Sequence, residues 1–77
     1  MAVGFVLITT RAGFERQVRD ALDAIELVTG RWGGFGEFDV IAKVEADDEV
    51  ELTRCIIEDI RCLDGVRDTR TLIGAEI

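Results

Sequence analysis

The sequence predicts one α+β domain of order βαββαβ, built to work as a multimer. Three observations predict it. The 77 residues suffice for one domain and not for two. Two apolar stripes of helical period, starting at Phe14 and Leu52, alternate with four short runs rich in β-branched residues. The first of those runs is apolar on both faces, whereas a sheet face that meets water usually carries polar residues. Two helices cover one face of a sheet, so the other face calls for a second copy.

Strand one is expected over Val3 to Thr10. Val3, Phe5 and Leu7 share one face, and Val6 and Ile8 the other. Arg11-Ala12-Gly13 reads as a turn. Helix one follows over Phe14 to Ile25, with Phe14, Val18, Ala21, Leu22 and Ile25 forming a single stripe and Glu15, Arg16, Arg19, Asp20 and Asp23 on the wet side. Strand two is expected over Leu27 to Phe35, interrupted by Gly30, Gly33 and Gly34. Gly36-Glu37 makes a short hairpin link to strand three, Phe38 to Glu45. Asp47 or Asp48 is a fitting N-cap for helix two, and Glu49 and Glu51 suit the positive end of its dipole. Leu52, Ile56, Ile60 and Leu63 form its stripe, and Gly65 ends it. Strand four runs from Val66 to Ile73, with Thr69, Thr71 and Ile73 on one face. The tail Gly74-Ala75-Glu76-Ile77 is too short to assign.

No linker or low-complexity segment divides the chain, so residues 1–77 form one domain. The order matches the split βαβ, or ferredoxin-like, fold: a four-stranded antiparallel sheet with two helices on one face. The open face leads to the expectation of a sheet-to-sheet dimer.

Small domains bury a limited fraction of their surface and often need a staple. Cys55 and Cys62 do not supply one. Seven residues of helix rise roughly 10 Å, beyond the ~7 Å Cα separation that a disulfide tolerates. With no histidine in the chain, a structural zinc site is not expected either, nor any other metal or cofactor. Oligomerisation is the staple left. The net charge of −7, from 16 acids against 9 bases, argues against direct nucleic-acid binding. Nine of the acids lie between Glu45 and Asp68, with three bases among them. A solvated helix face and a high-salt organism both account for that excess. No export signal or membrane span is evident, and the expected compartment is the cytoplasm.

Histidine and tyrosine are absent, so no nucleophilic triad assembles from this chain alone. Cys55 and Cys62 sit beside Glu58 and Asp59, which disfavour a thiolate, and both read as small apolar fillers. The segment Gly30-Arg31-Trp32-Gly33-Gly34-Phe35-Gly36 is the most unusual feature. It lacks the Lys-Ser/Thr of a phosphate loop. Its glycines mark either a bulge or the close approach of a ligand. For the ligand reading, free N–H groups at the Gly36 turn suit a carboxylate and Asp39 suits an ammonium, together a zwitterion such as an amino acid. An Asp near a hairpin turn also caps backbone N–H groups, and both roles stay open. Trp32 reads as an interface anchor.

The succession of strand one, Ala12-Gly13, an amphipathic helix, Gly36-Glu37-Phe38-Asp39-Val40-Ile41, Gly65-Val66 and Thr69-Arg70-Thr71 resembles the effector domain of the Lrp/AsnC regulators, also called RAM. The resemblance covers nearly the whole chain. It implies sheet-mediated dimers, assembly into tetramers or octamers, and an amino-acid effector between dimers. By motif it assigns the ligand contacts to Gly36, Asp39, Thr69 and Thr71, with Glu37 at the variable place that tunes ligand choice. Full-length Lrp/AsnC regulators are implied as partners. The family's helix-turn-helix has no counterpart ahead of strand one, and Met1 directly before that strand reads as a stand-alone effector domain. Two other readings remain: a small enzyme of the dimeric α/β-barrel type, and a purely structural partner subunit.

Overall fold

The computed structural model describes residues 1–34 and 36–73. Its elements are β1 (Ala2–Thr10), α1 (Glu15–Asp23), β2 (Val28–Gly33), β3 (Val40–Ala46), α2 (Glu49–Arg54, continued by a π-helical segment, Cys55–Ile60) and β4 (Val66–Ile73). The order is βαββαβ, as the sequence predicts. The four strands form one antiparallel sheet in the order β2-β3-β1-β4. The first strand is therefore central, and the last is an edge.

Register decides which side chains face the helices. Val6 pairs with Ala42, Ile8 with Val40 and Gly4 with Val44, and opposed residues share a face. This row is buried, and Val6, Ile8 and Val44 lose all solvent contact against Val18 and Leu22 of α1, Leu52 of α2 and Ile60. Full burial of such side chains stabilises by about 1.5–3 kcal/mol each. Thr69 and Thr71 lie opposite Ile8 and Val6 and so belong to the helix side of β4.

The other face carries Val3, Phe5 and Leu7 on β1. Leu7 lies between Ile41 and Arg70, Phe5 between Lys43 and Leu72, and Trp32 stands beside Ile41. No element of the described chain covers this face. Phe5 is 37%, Trp32 52% and Leu72 55% exposed. No helix among the described residues is long and apolar enough to cross a membrane.

The helix starts are local chemistry. Asp48 is the N-cap of α2, and its Oδ1 accepts from the Glu51 N–H at 2.8 Å. Phe14 stands at the N-cap of α1 without a side-chain bond, and its N–H donates to Arg11 O at 3.0 Å instead.

Beyond single-residue shifts at strand ends, the elements differ from expectation in these ways. Helix one is shorter at both ends, because Phe14 is its N-cap and Ala24 and Ile25 close back on Ala21 and Leu22 in a tight turn. Strand two ends at Gly33; its expected extension to Phe35 lies partly outside the described residues, as does the unassigned tail. Strand three starts at Val40, because Phe38 and Asp39 belong to the connection, which is longer than a two-residue link. Helix two is not uniformly α: from Cys55 it widens, with the Arg61 N–H donating to Ile56 O at 2.9 Å. Adjacent β-branched Ile56 and Ile57 crowd the preceding turn of an α-helix, and the wider turn relieves them while keeping Cys55, Ile56 and Ile60 buried.

The β1–α1 and α2–β4 junctions touch. Gly65 O accepts from the Arg11 N–H at 2.8 Å. Gly65 has φ +93°, and a Cβ there would meet the Cβ of Phe14 at 2.7 Å, whereas Gly13, at φ +88°, faces open space. Gly13→Ala is expected to cost about 1–2 kcal/mol for the left-handed backbone. Gly65→Ala should cost clearly more, because it adds the clash with Phe14. Urea unfolding of the two variants checks the order.

Candidate functional site

The connection between β2 and β3 is pinched shut on the end of β1. The Gly34 N–H donates to Asp39 O at 2.9 Å, and the Asp39 N–H donates to Ile8 O at 2.9 Å. The two arms lie so close that a Cβ on Gly34 would sit 2.6 Å from Phe38 O. The Thr9 hydroxyl donates to Glu37 O at 3.2 Å. One carboxylate oxygen of Asp39, Oδ2, accepts both the Thr10 N–H at 2.9 Å and the Thr10 hydroxyl at 3.2 Å. Asp39 thus caps backbone, one of the two roles open from the sequence, and among the described residues its second oxygen makes no protein hydrogen bond.

The five residues singled out by the sequence frame the end of β1 without lining a common cavity in one protomer. Gly36 and Glu37 are exposed in the loop. Asp39 and Thr69 flank β1 on opposite sides, two inter-strand spacings apart, roughly 10 Å. Thr71 lies two residues further along β4, and it is exposed. Asp39 lines a cavity of about 140 Å³ with Glu15, Arg16 and Arg19 of α1 and Arg31, Trp32 and Gly33 of β2. Thr69 lines another, of about 120 Å³, with Arg61 and Arg67.

The α1 and β2 contributions to the Asp39 cavity escaped sequence reasoning. Arg16 and Arg19 read as the wet side of helix one, and that side borders the cavity. The available signal was their i, i+3 spacing, which puts both on one face. Arg31 lies opposite Ala42 and so on the helix side. It grips Asp23 at the end of α1 bidentately, Nε to Oδ1 at 2.7 Å and Nη2 to Oδ2 at 3.0 Å. The guanidinium holds the Asp23 carboxyl below its usual value and is itself raised by that bond. The pair lies in water, so it orients Arg31 more than it stabilises the fold.

The glycines before the loop mark a bulge: the β2–β3 register shifts between Val28 and Gly30. The indole of Trp32 lies over Gly30, where a Cβ would meet its ring at 2.9 Å. Trp32 is thereby held flat on the open sheet face.

The cysteines have different surroundings. Cys55 is buried as expected, and burial first, then the charge and hydrogen bond of Asp59 and the charge of Glu51, push its thiol up to about 11. Cys62 is exposed, contrary to the expectation of a buried filler. Past the π-helical segment its side chain turns out to solvent, and its thiol donates to Ile57 O at 3.4 Å. Among the described residues no group of three His, Cys, Asp or Glu is arranged to hold a metal.

The family model for the Lrp/AsnC ligand binding domain matches residues 3–76. The chain belongs to this family. The Lrp/AsnC fold recurs in solved structures similar to it. FFRP-DM1 is 37% identical with a TM-score of 0.93, and the match covers 97% of this chain and 100% of that one. The hypothetical protein PHS023 from Pyrococcus horikoshii is 36% identical with a TM-score of 0.90, covering 100% of this chain and 93% of that one. The transcriptional regulator NMB0573 of Neisseria meningitidis, solved as an L-Met complex, shares the fold at 16% identity and a TM-score of 0.85; the match covers 97% of this chain and 50% of that one. No curated protein sequence matches. An Lrp/AsnC ligand-binding domain is a regulatory effector unit, and that is the class of this chain.

Asp39→Ala should destabilise the domain by about 1–3 kcal/mol, because it strands the N–H and hydroxyl of buried Thr10. Asp39→Asn keeps an acceptor there and should cost much less. Urea unfolding at neutral pH separates the two.

Proposed function

We propose that the protein is a cytoplasmic effector-binding and oligomerisation unit of Lrp/AsnC type that neither binds DNA itself nor catalyses a reaction. Two copies join through the open sheet face, and dimers assemble further into a tetramer or octamer. An amino acid binds at a subunit boundary beside Gly36, Glu37, Asp39, Thr69 and Thr71. Full-length regulators of the same family join through the same interfaces.

The observation that carries this reading is the divided state of the candidate site. Asp39 is held rigidly by Thr10 with one oxygen left over, while the hydroxyls of β4 lie across β1 from it. A second subunit laid over the end of β1 closes such a half-site. The side chain of Asp39 offers charge to an ammonium, and the exposed N–H groups of the loop suit a carboxylate. The L-Met complex of NMB0573, with the same fold, supports an amino acid as the ligand. Catalysis is disfavoured because the space between sheet and helices is filled by apolar side chains such as Val6, Leu22, Leu52 and Ile60. The net charge of −7 opposes duplex DNA.

Calorimetry against the twenty amino acids tests the ligand. Binding of at least one is expected, and Asp39→Asn should weaken it by about ten- to 150-fold, the worth of a charge-assisted hydrogen bond. Failure of all twenty, or unchanged affinity in the variant, contradicts the site.

Light scattering at micromolar concentration, in low and high salt, tests the assembly. A dimer or larger is expected, and a monomeric wild type contradicts it. Leu72→Lys should give a folded monomer. Leu72 is exposed in the protomer, so a lysine there burdens folding little, yet an unpaired charge buried by a partner costs several kcal/mol.

A further inference from the structure

We propose that the cleft between the two helices docks a positively charged amphipathic helix of a partner protein. The cleft lies on the outer face of the helix layer, away from the open sheet. Its volume is about 620 Å³. Ala24, Ile25 and Leu63 form an apolar floor, Glu26, Glu58 and Asp59 contribute carboxylates, and neither lysine nor arginine lines it. Beyond Glu58, which borders both regions, the outer side of α2 exposes Val50 (68%) and Ile57 (48%), two turns apart, together with Glu49 and Arg54. Isolated exposed apolar residues are ordinary, but an apolar floor rimmed by three carboxylates, with two more large apolar side chains beyond one of them, marks an interaction surface.

Charge selects the occupant. A helix of another copy of this chain carries more acids than bases, Glu15, Asp20 and Asp23 beside Arg16 and Arg19 in α1 and Glu49 and Glu51 beside Arg54 in α2, and would bring acids against Glu26, Glu58 and Asp59. Nucleic acids and anionic membranes carry the same sign. A helix with apolar residues at i, i+3 and i+4 fills the floor, and its lysines and arginines meet the acids. The acidic excess between Glu45 and Asp68 then has a use beyond solvation.

Cys62 gives a direct readout, because it lines the cleft and is exposed, while Cys55 is buried. The rate of thiol labelling at Cys62 in the full chain is measured with a Leu/Lys amphipathic peptide of about 18 residues, long enough to hold a helix. A Leu/Glu peptide of the same pattern is the counterpart. The Leu/Lys peptide should slow labelling about tenfold when in roughly tenfold excess over its Kd. Salt should weaken the effect, and Glu58→Lys should remove it. Asp47→Lys makes the same charge change ahead of α2 and should leave it. The proposal is overturned if the Leu/Lys peptide gives no protection, if the Leu/Glu peptide protects as well, or if the two variants behave alike. It is also overturned if Cys62 is already shielded in the free assembly, since a second copy then covers the cleft.

Discussion

A four-stranded sheet has two faces, and this chain has helices for one of them. Everything else in the molecule follows from how β1 is placed under that constraint. β1 is paired on both sides, so its backbone is satisfied by β3 and β4. Its even-numbered residues, from Ala2 to Thr10, are buried under the helices. Its odd-numbered residues, Val3, Phe5 and Leu7, are apolar too, and they point where no helix lies. The same alternation that makes β1 a good central strand leaves an apolar face without a helix on it.

The candidate site is divided by the same strand. The residues that hold Asp39 in place come from β1, and those across from it come from β4, so the central strand acts as a spacer between the two halves. Within one protomer the two halves line separate cavities, one with Asp39 and one with Thr69. The chain shares its family with the Lrp/AsnC regulators.

Strands one and four were legible almost residue by residue, since β-branched alternation bounded by Gly13 and Gly65 leaves few other readings. The cap of α2 was legible to within one residue, Asp47 or Asp48, because its bond spans three residues; the structure has Asp48. The length of the β2–β3 connection was not. Phe38 continues the strand-like alternation of Val40 and Ala42, but the backbone at Gly34 and Asp39 closes early, and periodicity carries no record of that bond. The π-helical widening was hidden because Leu52, Ile56 and Ile60 make an acceptable stripe in a regular helix as well. The capping role of Asp39 was legible from its place near a hairpin turn, yet its partner Thr10 was not, since that contact bridges two segments far apart in sequence. Arg16 and Arg19 were assigned to water for a similar reason: amphipathic period separates core from surface and does not distinguish open surface from the wall of a cavity.

The strand order has a consequence for how the chain is made. Within this domain the central strand is made before the other three, and the edge strand that pairs with it along seven positions, Gly4 with Ile73 through Thr10 with Val66, is made after them. Until β4 is made, β1 has a single neighbour at best, β3, and one of its long edges stays unpaired. Pairing over such a sequence distance also slows closure of the sheet, since the ends of a long loop must meet before any contact rewards them. A chain interrupted before Val66 therefore leaves β1 with an unpaired edge, the kind of template on which strands of other chains add.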